Sequence, residues 1–418
     1  REAVRALRRI ARTDRARRGR AEYLAAWLLL RVGDGREGEA AMRRVLGGRR
    51  ATPRQRRAAT WELGLRAFLG RRFGDAATFF RRYAALGEGP MVAGRGAYWR
   101  GRAEAARGRR GAALAAYRTA QAQGPLHWYG QLARLRQAEL GSATELGLRP
   151  APPAPPPLPA PALPAAAAFY RDAGFPAEAA RALTRRESAL RDAAPRGRVA
   201  ETVVRARLEA GHTSGAYRLA ARQDALLAME PAGAARWAWE AAYPRPEEAL
   251  VREVAARLGI PWEHLYATMR QESAFDARAT SRADARGLLQ LLPRVAARDA
   301  RRLGLPEDPG ALYDARVNVR LGAQEIARLQ RRFSGSLPLM AAAYNAGAAR
   351  TERWLRELGG EGELDLFVER IPFDETRGYV RRVLSHVARY RYLDGGDDTP
   401  AMSPTLEGVG APPRREVE

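Results

Sequence analysis

The sequence has no cysteine, and none of its 72 basic residues is a lysine. Without cysteine there are no disulfides, no thiolate metal sites and no cysteine nucleophile. β-Branched residues are sparse, which argues against extensive sheet. No apolar run approaches the ~20 residues of a membrane span. The longest, Tyr23 to Val32, is short and carries Arg31. What is abundant is alanine, leucine and arginine, all good helix formers, so an all-α protein is expected. At 418 residues the chain can hold two or three domains with substantial cores. It opens on Arg1 rather than Met, which fits removal of a leader such as a signal segment.

The net charge is +25. Such an excess attracts polyanions: nucleic acid, anionic envelope polymers or a membrane face. It also results when arginines simply cover solvated helix faces. Their even spread along the chain favours the second reading, and no helix-turn-helix, zinc-finger or RRM signature accompanies them. No nucleic-acid partner is expected. The four histidines (His127, His212, His264, His386) are scattered without paired spacing. Neither a metal nor any other cofactor is expected.

The first half repeats itself. Gly33, Gly70 and Gly108 stand 37 and 38 residues apart, and Gly174 and Gly211 repeat the 37-residue step. Trp61 and Trp99 each precede their glycine by nine residues, Phe80 and Tyr117 follow by ten and nine, and small residues such as Ala76, Ala77, Ala112 and Ala113 lie between. This is the pattern of stacked helical hairpins, close to the period of TPR-like repeats, which bury their apolar faces by forming a solenoid. Residues 1–148 are therefore expected to form a helical-hairpin superhelix. A proline-rich stretch at 149–167 cannot be helical and should run extended as a strap or spacer. Helical repeats should continue over 168–246 to the break "YPRP" at Tyr243–Pro246. A compact segment, 247–393, follows. The tail, 394–418, rich in Gly, Pro and Asp, is expected to be disordered.

The compact segment carries the chemistry. A helix starting near Pro261 places Leu265, Met269 and Ser273 on one apolar stripe, with Glu272 beside it at the helix end. Burial there would disfavour the carboxylate and raise the pKa. A rise from about 4.3 to about 6 asks roughly 2.3 kcal/mol of the site. After the acid come Phe275, placed to cover it, Gly287, which leaves room for a close approach, and Gln290, an amide able to donate and accept. Pro293 should begin the next helix.

The stretch "ESAFDARATSRADARGLLQLLP", beginning at Glu272, resembles the signature of the soluble lytic transglycosylases, E-S-x-F followed by G-L-M-Q-x-M-P. Three further blocks agree in order: "NVRLGA" at Asn318–Ala323, "AAYNAG" at Ala342–Gly347 and "ERIPFDETRGYVRRVL" at Glu369–Leu384. The repeat-rich first half also looks like the helical superstructure preceding the catalytic domain in the periplasmic branch of that family. The resemblance implies a lysozyme-like α catalytic domain and a single catalytic acid, Glu272. Ser281, Gln290 and Leu292 would line the cleft. Tyr344 and Asn345 would stand opposite the acid and orient it or the sugar. Glu375 and Tyr379 would hold the acetamido or lactyl region, and Arg377 would brace their loop. Leu289 and Leu292 stand where methionine is usual, Asp284 where glycine is usual, and Val295 where threonine is usual. The loop at Asp284 is thus expected to differ in shape.

The implied substrate is peptidoglycan, in the periplasm of a Gram-negative bacterium, with cell-envelope proteins as further partners. No second acid matches Glu272, so the two-carboxylate scheme of most glycosidases does not apply. The expected reaction is non-hydrolytic cleavage of the MurNAc-β-1,4-GlcNAc bond, leaving 1,6-anhydro ends. Two alternatives stay open at this point. One is a hydrolase of the same fold, related to goose-type lysozyme. The other is a non-catalytic envelope scaffold that binds peptidoglycan.

Overall fold

A computed structural model describes residues 1–32, 35–48, 51–87, 89–142, 144–357 and 362–406. Among them every regular element is helical and β pairing is confined to isolated bridges. The chain forms two compact units, Arg1–Gly147 and Leu148–Glu418.

Among the described residues the first unit holds eight helices: α1 (Glu2–Thr13), α2 (Arg18–Val32), α3 (Gly35–Gly47), α4 (Pro53–Leu69), α5 (Phe73–Ala85), α6 (Pro90–Ala106), α7 (Arg110–Ala122) and α8 (Trp128–Glu139). Each packs mainly on its sequence neighbour, as stacked hairpins require. Local chemistry sets the ends. Thr52 and Gln55 form a reciprocal capping box at the start of α4, with Pro53 in the first turn.

The repeat is visible in side-chain packing. A Cβ at Gly64 would lie 2.8 Å from the Phe80 ring, and one at Gly101 only 2.5 Å from that of Tyr117. Each pair thus seats an aromatic ring of one helix against bare backbone of the preceding helix, 37 residues apart. Trp61 and Trp99 meet edge-on at 6.2 Å, with Phe80 against both. The turn glycines do not all act alike. Gly108 takes φ 73°, but Gly70 stays at φ −83° and Arg71 adopts the left-handed conformation instead. Gly33 lies outside the described residues.

The second unit begins with the proline-rich stretch. Residues 150–164 are extended, but they do not form a free spacer. A polyproline backbone makes no internal hydrogen bonds, so its carbonyls stay available. Pro152 accepts from the Ala234 amide at 2.9 Å, Pro156 from Arg198 at 2.5 Å and Leu158 from Arg205 at 2.9 Å. Leu158 is buried. Short helices follow: α9 (Ala165–Asp172), α10 (Pro176–Arg185), α11 (Glu187–Ala193), α12 (Val199–Glu209), α13 (Thr213–Ala220), α14 (Asp224–Leu227) and α15 (Arg236–Ala242). Then come α16 (Glu248–Leu258), α17 (Trp262–Glu272), α18 (Pro293–Leu303), α19 (Ala315–Arg332), α20 (Leu337–Ala346), α21 (Ala348–Glu357), α22 (Leu364–Arg370) and α23 (Asp374–Gly395).

The "YPRP" break is a seam inside this unit. Tyr390 of α23 donates to the Pro244 carbonyl and Tyr266 of α17 to that of Pro246, each at 3.0 Å. Their two rings stack at 5.4 Å. Segments 149–167, 168–246 and 247–393, distinct in composition, thus share one unit.

Over residues 394–406 the tail departs from the expected disorder. Asp394 pairs with Arg245 and Arg252 at 2.9 and 2.7 Å. Further on, the Leu364 amide donates to the Pro404 carbonyl, the Leu406 amide to that of Gly362, and Leu406 is buried. One apolar anchor and a short backbone pairing outweigh the polar composition. Residues 407–418 lie outside the described residues. Among those described, no helix is long and apolar enough to cross a membrane.

Candidate active site

Helix α17 runs from Trp262 to Glu272 with Leu265 and Met269 fully buried. Its last three residues are each held by one face of α23. Tyr379 donates its hydroxyl to Glu272 Oε1 at 2.7 Å, Arg382 reaches Gln271 at 2.7 Å, and the His386 ring meets Arg270 at 2.7 Å. Positions 379, 382 and 386 follow helical spacing, so one stripe of α23 reads out the end of α17. Arg270 also donates to the Ala242 carbonyl at 3.0 Å and lies over the rings of Tyr217 and Tyr243. The end of α17 is therefore pinned to α13 and α15 as well.

Glu272 is half-buried, and its carboxyl is pushed up to about 7. Removal from water is the main cause; the Tyr379 hydroxyl opposes it by stabilising the carboxylate, and the nearby Glu375 charge adds to the rise. Tyr344 and Tyr379 are held well above the ordinary tyrosine value by burial, with the Glu272 charge next in importance. Both therefore stay protonated donors around the acid.

Just past the acid the backbone turns sharply. Ala274 and Phe275 adopt φ of 55° and 62°, the left-handed region that costs non-glycine residues energy. Ser273 secures the turn by donating to the Leu288 carbonyl at 2.8 Å. The loop 287–291 is held from three sides. Tyr344 donates to the Leu289 carbonyl at 2.7 Å. Asn318, fully buried, accepts from the Leu289 amide and donates to the carbonyls of Arg286 and Leu312, all at 2.8–3.0 Å. Gly287 at φ 75° fits against them; a Cβ there would lie 2.2 Å from the Leu312 oxygen. Gly322 leaves room for Leu289, which a Cβ would meet at 2.1 Å.

Tyr379, expected to hold the acetamido or lactyl region, bonds the acid itself. Tyr344, expected opposite the acid to orient it or the sugar, gives its hydroxyl to loop 287–291. Asn345 accepts from Thr376 at 2.6 Å, tying α20 to α23. Gln290, at φ 48°, commits its amide nitrogen to the carbonyls of Ala279 and Gly287, leaving the oxygen as acceptor. Ser281 accepts from the amides of Ala283 and Ala285 in an exposed turn. Leu292 is the half-buried N-cap of α18. Glu375 is exposed, one turn before Tyr379. Arg377 donates to the Ile371 carbonyl and pairs with Asp374, bracing that loop. Phe275 is buried against Tyr217, ring centres 5.4 Å apart. Asp284 lies in the left-handed region, φ 61°, with its carboxylate on Arg286 at 2.9 Å. Aspartate tolerates that conformation better than most residues.

Asn318, Arg270 and Tyr217 carry much of this positioning but were not singled out from the sequence. Only Asn318 had a signal, as the residue heading the "NVRLGA" block. Among the described residues no cluster of three or more His, Asp or Glu is arranged to hold a metal.

Residues 249–366 match the family described as Transglycosylase SLT domain. Over that segment the chain is similar to the transglycosylases of this family. Residues 370–398 match the family described as Soluble lytic transglycosylase helical domain, a match that falls on α23 rather than in the repeat-rich first half. The soluble lytic murein transglycosylase of Escherichia coli K12 is 35% identical over 170 residues, covering 40% of this chain and 26% of the relative. The putative counterpart of Haemophilus influenzae is 41% identical over 138 residues, covering 33% and 23%. The chain thus matches about a quarter of the length of these curated relatives. A solved inactive mutant of lytic transglycosylase Slt from Pseudomonas aeruginosa superposes over 95% of this chain and 63% of its own, with TM-score 0.69 and 24% identity. The 70-kDa soluble lytic transglycosylase of Escherichia coli superposes over 96% and 67%, with TM-score 0.56 and 21% identity. The likeness in fold therefore includes the stacked hairpins of the first unit.

Proposed function

We propose that the protein is a lytic transglycosylase that cleaves peptidoglycan strands in the periplasm of a Gram-negative bacterium, with Glu272 as its only acid–base group. The observation carrying this reading is a carboxyl raised to about 7 in a pocket with two protonated tyrosines and, among the described residues, no second carboxylate bonded to it. The solved Pseudomonas relative is an inactive mutant in which a glutamate is replaced by glutamine, which accords with chemistry resting on one carboxyl.

Protonated Glu272 gives its proton to the oxygen bridging MurNAc and GlcNAc, and that C–O bond breaks toward the oxygen. The acetamido carbonyl of MurNAc shares the positive charge left at C1, a role taken elsewhere by a second carboxylate. The Glu272 carboxylate then removes the proton from the C6 hydroxyl of the same sugar. O6 bonds to C1, and a 1,6-anhydro ring results with no water consumed. Intramolecular attack reaches effective molarities on the order of 10⁵ M, so water competes poorly. Tyr379 suits this exchange because its hydroxyl stabilises the transient carboxylate. Gln290 Oε1 and Asn345 stand ready for the sugar's N–H and hydroxyl groups.

Replacing the acid tests the reading. Glu272→Gln should keep the fold and lose at least 10³-fold of sacculus digestion. Digestion that survives this substitution would contradict the assignment.

A further inference from the structure

Glu272 ends a helix and is followed by a bend of non-glycine residues in the left-handed region. Such a bend persists only where its surroundings hold it. One side chain touches both flanks of the acid. The Tyr217 ring lies under the Arg270 guanidinium at 4.9 Å, two residues before Glu272. It also meets the Phe275 ring edge-on at 5.4 Å, three residues after Glu272.

The ring is itself held in place. It stands on α13, whose Gly215 and Ala216 are buried. The Gly215 carbonyl accepts from Arg207 of α12 at 2.7 Å, and Arg207 is paired with Glu187 at 2.6 Å. The Tyr217 hydroxyl makes no hydrogen bond among the described residues, so the ring alone makes these contacts. Tyr217 also lies outside residues 249–366, the segment that matches the transglycosylase domain family.

We propose that Tyr217 is a positioning residue for the acid: its ring clamps Arg270 to Phe275 and closes the bend that shields the Glu272 carboxyl. The proposal rests on the acid role given to Glu272 above. A cation over an aromatic face and an edge-to-face ring pair are both directional. One ring therefore fixes the two flanks relative to each other. An aliphatic chain of similar bulk loses both geometries. A displacement of about 1 Å at a reacting group can cost about 10²-fold in rate. A looser bend also admits water, and less burial lowers the Glu272 pKa toward its ordinary value. The titratable groups acting on Glu272 are Glu375 and Tyr379 of α23 and Tyr344 of α20. None of them is altered by a substitution at Tyr217.

The test is steady-state digestion of soluble glycan strands across pH by the full chain and its variants. Tyr217→Leu should lower kcat by about 10-fold or more and leave KM within about twofold. It should also move the alkaline limb of the pH–rate profile downward by about half a unit or more. Tyr217→Phe, which keeps the ring, should match the unaltered chain in all three. Arg270→Lys keeps the charge but not the flat guanidinium, so it should change kcat and the limb as Tyr217→Leu does. It decides the matter if Tyr217→Leu fails to fold. A Tyr217→Leu rate like that of the unaltered chain, a loss of rate with the limb unmoved, or an equal loss in Tyr217→Phe would overturn the proposal. Failure of the acid role is a separate result. A Glu272→Gln variant that still digests glycan removes that role, whereas activity that needs Glu272 but not the Tyr217 ring removes only the clamp.

Discussion

At the residue scale, one carboxyl trades stability for reactivity. Glu272 is raised from 4.5 to about 7 in the folded chain. A raised acid is uncharged in the fold while the unfolded chain has already released the proton. It therefore destabilises the fold as pH rises from 4.5 to 7, and the full cost is present above 7. At about 1.4 kcal/mol per pKa unit the cost reaches on the order of 1–3 kcal/mol, allowing for water at the outer edge of the group. Glu272→Gln should accordingly raise the melting temperature at pH 8 and have almost no effect at pH 4, as thermal denaturation at the two pH values would show. Tyr379→Phe removes the hydrogen bond that favours the carboxylate. The alkaline limb of the pH–rate profile, which reports loss of the Glu272 proton, should then move upward, while the rate at the optimum falls because the carboxylate loses its donor. A downward shift of that limb would contradict the role given to Tyr379.

At the element scale, the site is built by helix ends and one pinned loop. Asn318 alone satisfies one amide and two carbonyls inside the core. Asn318→Ala should cost about 2–4 kcal/mol, since each buried partner left unpaired costs roughly 1–3 kcal/mol and some will find water. Gly322→Ala should cost about 1–3 kcal/mol by driving a methyl into Leu289. Chemical denaturation measures both. Much of this layer was legible in the sequence: the stripe of Leu265 and Met269, the acid beside it, Pro293 at the start of α18, and the helical hairpins from glycine and aromatic spacing. What was not legible depends on contacts across more than a hundred residues. No local pattern says that Tyr379 rather than Tyr344 bonds Glu272, or that Arg270 reaches the Ala242 carbonyl. What ties down the proline-rich stretch and the first part of the tail was not legible for a related reason. Composition describes what a segment can do alone, and here Arg198, Arg205 and the Gly362 carbonyl capture backbone that would otherwise stay free.

At the scale of the whole molecule, every residue assigned to the chemistry lies in the second unit. Residues 148–418 expressed alone should therefore cleave short soluble glycan strands with kcat/KM within about tenfold of the full chain. Loss of all activity would assign the first unit a part in the chemistry itself. The arginine excess is distributed over both units rather than gathered in one patch, so it serves solubility and general attraction to anionic polymer more than any specific site. The central claim, that one uncharged carboxyl turns the sugar's own hydroxyl onto C1, is tested most directly by mass spectrometry of the fragments released from purified sacculi. Fragments ending in 1,6-anhydro-MurNAc, lighter by one water than reducing ends, are the expected product. A product set made only of reducing ends would contradict the account.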